Sequence, residues 1–465
     1  MTTKPWYWRS LPLKQRTGAE VFHLLFHSTN SQIATLLESP YPTPIDHPQL
    51  SRYSICAGTF RIVDGVPQMW TPQLGEVLPF LEKLLQNSHP SSLPSHLPFT
   101  GGWLGWLGYD LAWEIEQLPC ENSDQLPFPV AFWYEPECFA VLDHVTQILW
   151  LAVSDDKELD DLVKKLDHEP VKPEKISSDA ITSTPKFCTS QVDYENAVNQ
   201  AKKYIQAGDI FQANLSLRFQ ALTAITGWEI YQALHQINPS PFASYWRTPW
   251  GEVVSCSPER LVLLQNGKAQ TRPIAGTRSR GMTPDQDKQQ AQDLLNNTKE
   301  LAEHIMLVDL ERNDLGRVCD FGTVVVDELL TIERYSHVMH LVSNVQGKLK
   351  SDRTPVDLIR AVFPGGTITG CPKVRCMEII EELEPARRSL FYGSCGYLDW
   401  RGNLDLNILI RSLLLSPTEE SGINTVWGQV GAGIVADSDP EREWYESLHK
   451  AQAQLAALKM LHREG

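Results

Sequence analysis

The chain has 465 residues, of which 42% are hydrophobic and 21% charged, and its formal charge is −16. That length exceeds what a single core usually serves, so one large domain with a long extension, or two domains, is expected. The acidic balance opposes nucleic acid and anionic lipid, and no local basic patch reverses it, so neither is expected as a partner.

In chain order, the N-terminus MTTKPWYWRSLPLKQRTG lacks the apolar core of a signal peptide, and no later stretch is apolar enough to span a bilayer. The nine cysteines are odd in number, scattered and never spaced Cys-x-x-Cys, which argues against a zinc ribbon or disulfide framework and fits a reducing cytoplasm. Residues 1–153 carry short apolar runs such as Phe139-Ala-Val-Leu142 and Ile148-Leu-Trp-Leu151, read as strands. Residues 154–189, rich in charge, Ser, Thr and Pro around one short helical stretch, read as a linker. Residues 190–465 then form the second region. Tyr194–Ala207 has helical spacing closed by Gly208-Asp209, and helices also fit Asp285–Arg312 and Pro440–Leu461. Strand-like runs cover Gly322–Leu329, Ile408–Leu415 and Thr425–Val435. Without a βαβ rhythm, the pattern predicts an α+β fold with large antiparallel sheets.

Two glycine motifs raise a nucleotide reading. Gly365 to Gly370 has P-loop spacing, but Cys371 stands where the phosphate-binding lysine belongs. Gly431-Ala-Gly-Ile-Val-Ala436 matches GxGxxA, yet Asp437-Ser-Asp-Pro440 interrupts the helix that a dinucleotide-binding oxidoreductase needs. Glu300 and Glu303 share one helix face, as do Glu443 and Glu446 with Lys450 one turn on. Such pairs either hold a hard cation or line a solvated, salt-bridged face. Asp309-Leu-Glu-Arg-Asn-Asp314 reads as a capped, solvated helix end, and Arg387-Arg388 as solvated. His340, in an apolar run, is either a core histidine or an acid-base group. Arg411 within aliphatics needs a buried anionic partner, which makes it a carboxylate-binding candidate.

Ser257-Pro-Glu-Arg260, Arg272-Pro-Ile-Ala-Gly-Thr277, Glu300-Leu-Ala-Glu-His304, Asp309 to Asp314, His340-Leu-Val-Ser343, Phe363 to Glu378 and Gly431 to Val435 resemble, in order and spacing, the chorismate-utilising family. That family contains anthranilate synthase component I, aminodeoxychorismate synthase component I, and the isochorismate and salicylate synthases. The resemblance implies antiparallel sheets packed as a sandwich with helices outside. It implies Mg²⁺ held by Glu303 and Glu446, with Glu300 and Glu443 in support. Arg411, Tyr392, Lys450 and the backbone of Gly431, Ala432 and Gly433 match positions that hold substrate carboxylates. Thr277, beside Gly276, and Thr367 match hydroxyl contacts. Glu259 and His340 match acid-base positions that assist loss of the C4 hydroxyl of chorismate.

Gln212 stands where water-adding members carry a lysine base, so the resemblance implies amination. Which amination divides the residues. Leu97 to Asp110 and Gln212 to Phe219 look like aminodeoxychorismate synthase component I, which makes 4-amino-4-deoxychorismate for para-aminobenzoate and folate. Many such enzymes carry a C2-attacking lysine where this chain has Ala275, the anthranilate-type residue. Leu36-Leu-Glu-Ser39, containing Leu37, Glu38 and Ser39, resembles the family's tryptophan-binding motif, with Arg52 and Tyr53 as companions. Asn238-Pro-Ser-Pro-Phe-Ala-Ser244 lacks the Tyr-Met that follows the second proline in regulated members. No glutaminase motif is present, so ammonia is expected from a separate glutamine amidotransferase subunit, component II.

Overall fold

The structure is a computed structural model that describes residues 6–29, 31–42, 51–86, 94–167, 183–335 and 338–460. Two large antiparallel sheets dominate it. The larger runs, edge to edge, through Tyr7–Pro12, Ile148–Val153, Cys138–Asp143, Tyr53–Ala57, Ala34–Glu38, Phe242–Thr248, Gly251–Ser257, Ser412–Pro417, Asn424–Ile434, Gln212–Thr223 and Lys186–Phe187. The smaller begins with Ile274–Ser279, Val338–Lys348, Lys268–Thr271 and Arg260–Gln265. It continues through Leu404–Asn407, Ser394–Asp399, Gly102–Leu107, Ala131–Tyr134 and Met69–Trp70, and Val325–Arg334 also pairs with Val338–Lys348. Each sheet therefore mixes strands from before and after the expected linker.

Alternation along the strands sorts side chains into two cores. Trp246 and Val253 of the larger sheet face Trp106, Phe132 and Val262 of the smaller, while their neighbours Tyr245 and Val254 face outward. The outward face is covered by Gln191–Ala207, Gly227–Ile237 and Pro440–Met460, which contribute Val198, Tyr231 and Ala451. This is the α+β sandwich with helices outside. Burial of both faces explains why the strands read as nearly continuous apolar runs.

Local chemistry sets the helix ends. Ser190 caps the helix Gln191–Ala207, and Gly208 closes it at φ 83°, a left-handed cap that glycine adopts without cost. The expected helix Asp285–Arg312 is two helices, Pro284–Asn296 and Thr298–Val318. Asn297 turns extended between them, and its Oδ1 accepts a hydrogen bond from Glu300 N at 3.2 Å. Asp439 caps the last helix by accepting from Arg442 N at 3.0 Å. That helix is described to Met460, so its expected end at Leu461 lies outside the described residues, as do residues 168–182 of the linker and His337. Within the linker, Lys157–Leu166 is helical and packs Leu159, Leu162 and Leu166 into the outer core. Two strand expectations shift: Gly322–Leu329 becomes Val325–Arg334, and Ile408–Leu415 keeps only its second half, as Ser412–Pro417. No helix among the described residues is long and apolar enough to cross a membrane.

Candidate active site

The site begins where Gln212–Thr223 pairs with Asn424–Ile434, setting Asn214 opposite Gly433, Ser216 opposite Gly431 and Arg218 opposite Gln429. A side chain at Gly431 would meet Leu215 O, Asn214 Oδ1 and the Tyr392 hydroxyl, and one at Gly433 would strike the Gln212 amide. The GxGxxA pattern is thus a demand for bare backbone beside polar groups, within a strand and its following turn, and not a nucleotide fingerprint. Lys450 reaches the same strand, donating to Gly431 O at 3.0 Å while pairing with Glu446 at 2.9 Å. Gln212 Oε1 and Asn214 Oδ1 are buried without a hydrogen-bond partner, and the Thr367 hydroxyl, which bonds Glu259, and the Tyr392 hydroxyl, which bonds Ser216, are buried beside them. Buried polar atoms are nearly always satisfied, so this concentration marks where a polar ligand is accommodated.

Next to it, Ala275 pairs with Leu341 and Thr277 with His340, while Gly276 bulges out between them at φ +68°. The bulge re-aims the strand. His340, 2% exposed, shares a 2.9 Å hydrogen bond between its Nδ1 and Thr277 Oγ1. Burial, aided by Arg411, pulls its pKa down to about 3, so His340 is neutral and not the imidazolium that acid catalysis invites. Glu259, at the turn between Gly251–Ser257 and Arg260–Gln265, goes the other way: burial pushes its carboxyl up to about 7. Arg411 exerts its field on both groups. It stands in the irregular segment before Ser412–Pro417 with φ +51°, and donates to Asn238 Oδ1 at 3.2 Å. Among the described residues no carboxylate pairs with it, so the anionic partner expected of Arg411 is not supplied by the chain's own salt bridges. Tyr392 is likewise left-handed, at φ +64°. Such conformations are costly for large residues and persist where the surroundings enforce them.

No group of three or more His, Cys, Asp or Glu side chains poised for a metal occurs among the described residues. Glu300 pairs with Arg278 at 2.8 Å, and Glu443 is buried on the last helix. Elsewhere, Leu37, Glu38, Ser39, Arg52 and Tyr53 all line one cavity of about 100 Å³, shared with Phe242 of the Asn238–Ser244 segment. There Arg52 pairs with Asp143 at 2.7 Å, and Glu38 accepts from Ala19 N and Tyr231 OH.

Residues 47–456 match a family model described as chorismate binding enzyme. The chain belongs to the chorismate-binding enzyme family. A Synechocystis anthranilate synthase component I-like protein is 61% identical over 99% of this chain and 93% of that one. Aminodeoxychorismate synthase component 1 of Bacillus subtilis is 43% identical over 79% of this chain and 78% of its own. The crystal structure of anthranilate synthase component I from Streptococcus pneumoniae matches with a TM-score of 0.73 at 31% identity, covering 87% of this chain and 92% of that one. As a member of the family, the chain is an enzyme that acts on chorismate.

Two readings from sequence change in this family setting. Asp309–Asp314 is not a solvated helix end: it lies inside Thr298–Val318, with Glu311 and Asp314 buried. Burial, with Asp314 adding, raises the Glu311 carboxyl to about 8, and Lys373 donates to Asp314 Oδ2 at 2.8 Å and to Val362 O and Pro364 O. Lys373, two residues past the Cys371 that stands in the P-loop lysine position, is committed to this acidic pair and to the two carbonyls. Arg387-Arg388 is not solvated either; Arg388 is 1% exposed and ion-paired with Glu384 at 2.7 Å. The i,i+4 spacing of that pair was the available signal. Asn214, absent from the sequence candidates, could be found only by its register opposite Gly433.

Proposed function

We propose that this enzyme aminates chorismate at C4 to give 4-amino-4-deoxychorismate, using ammonia released by a glutamine amidotransferase subunit. The observation that carries amination is the Gln212 side chain. A neutral amide with an unpartnered buried oxygen stands on the polar strand face, where hydration would call for a base. Ammonia needs no such base. The protonated Glu259 carboxyl donates to the C4 hydroxyl, which leaves as water; ammonia forms the new C–N bond, and the resulting ammonium returns a proton to Glu259. Neutral His340, oriented by Thr277, donates or accepts hydrogen bonds beside the leaving group without adding charge. Arg411, Lys450 and the Tyr392 hydroxyl take the two carboxylates of chorismate, providing local positive field on an acidic protein.

Glu300 Oε2 is buried without a partner, and Gly276 leaves it room, which suits a hard cation. Glu300, Glu303, Glu443 and Glu446 are the residues that would hold Mg²⁺. Bound there, the ion would supply charge neutralisation at the ring carboxylate. Ala275 favours a second reading, amination at C2 toward anthranilate, because no lysine is present at that position to occupy C2. Overall likeness of the N-terminal region supports C4. Tryptophan is the proposed occupant of the cavity lined by Leu37 to Ser39, Arg52 and Tyr53. The test of the catalytic reading is chorismate consumption with ammonium and Mg²⁺; no turnover at any ammonium concentration would defeat it.

A further inference from the structure

Arg388 spends almost every donor it has. Its Nε and Nη2 donate to Glu384 Oε2 and Oε1 at 3.0 and 2.7 Å, Nη2 also to Asn214 O at 2.7 Å, and Nη1 to Ile368 O at 2.7 Å. Its guanidinium carbon also lies over the Tyr109 ring at 4.8 Å and the Tyr392 ring at 4.5 Å. The segments so joined are those that carry Gln212 and Asn214, Thr367, and Tyr392. Glu384 extends the clamp, since its Oε1 accepts from Ser216 N and Oγ at 2.8 Å, and Ser216 lies opposite Gly431. Tyr109 brings in the N-terminal region, and Asp110 beside it accepts from Ser389 N at 3.3 Å.

A plain buried ion pair would need only Glu384. A planar fork can meet a carboxylate and two carbonyls while packing against two aromatic rings; an ammonium cannot. Tyr392, left-handed and with its buried hydroxyl beside Gly431, requires such support. We propose that Arg388 is a positioning residue: it fixes the Tyr392 hydroxyl against the glycine strand, so that Tyr109 and the N-terminal region shape chorismate binding. The inference rests on the reading that Tyr392 contacts a chorismate carboxylate.

The experiment compares Arg388→Lys, Arg388→Ala and Glu384→Gln with Tyr392→Phe in steady-state kinetics. The expected result for Arg388→Lys is a rise of about tenfold or more in the KM for chorismate with a smaller change in kcat, the signature of lost binding. Added guanidinium is expected to lower the KM of Arg388→Ala saturably, and methylammonium not to. Glu384→Gln carries the same KM prediction should either arginine variant fail to fold. A folded variant whose KM stays within about twofold of the parent, with activity tracking only the folded fraction, overturns the proposal. If Tyr392→Phe itself leaves KM unchanged, the carboxylate reading fails; if Tyr392→Phe raises KM and the clamp variants do not, this inference alone fails.

Discussion

Burial drives Glu259 and His340 toward the same neutral form from opposite directions, because removing water penalises whichever form is charged. With Glu259 near 7, the protonated acid is depleted as pH rises beyond neutrality, so kcat/KM is expected to fall about tenfold per pH unit on the alkaline limb. His340, near 3, contributes no limb between pH 5 and 9. Glu259→Gln is expected to cost roughly 10² to 10⁴ in kcat while chorismate still shifts the melting temperature. The same substitution tests linkage. A folded pKa raised above the ordinary 4.5 gives stability that is present below about 4.5 and lost as pH rises through about 7. The melting temperature of Glu259→Gln relative to the parent is therefore expected to be higher at pH 8 than at pH 5; no such change would refute the buried acid. For the metal, Glu446→Gln is expected to abolish turnover at ordinary Mg²⁺ and weaken Mg²⁺ binding by calorimetry, with near-normal values in both refuting its ligand role.

At the scale of elements, the glycine strand Asn424–Ile434 shows what sequence could and could not disclose. Its existence followed from its strand-like apolar run, and the pattern placed it within one residue, while its register beside Gln212–Thr223 came only from the structure. Why glycine recurs there was hidden, because the answer is the Gln212 amide and the Tyr392 hydroxyl on other segments. Gly433→Ala asks only the far end of Gln212 to move, so the expected outcome is a folded protein with amination reduced at least about tenfold, read by ammonium-dependent kinetics. Retained activity would remove Gln212 from the site. Arg411 and the 408–411 segment were misjudged as strand, since apolar composition cannot announce a left-handed residue. Asp309–Asp314 and Arg387-Arg388 looked solvated for a similar reason: charge density in sequence says nothing about a buried partner such as Lys373 or Glu384.

For the whole molecule, the family motifs lie within residues 190–465, but the sheets do not respect that boundary. Ala34–Glu38 pairs with Phe242–Thr248, and Ser394–Asp399 pairs with Gly102–Leu107, so both sheets are built across it. Residues 1–153 and 190–465 are accordingly expected to unfold in one cooperative transition, with a 190–465 fragment failing to give a melting transition. Two separate transitions would contradict that coupling. The N-terminal contribution of Tyr109 and Asp110 to the clamp around Tyr392 follows from the same interleaving. Regiochemistry is the central claim of the proposal, because relatives of both amination types match the chain and Ala275 stands where a C2-attacking lysine is expected for C4 amination. The direct measurement is to incubate the enzyme with chorismate, Mg²⁺ and ammonium, add aminodeoxychorismate lyase, and identify the aminobenzoate. Para-aminobenzoate that appears only after lyase addition is the predicted result; anthranilate formed without the lyase would contradict it.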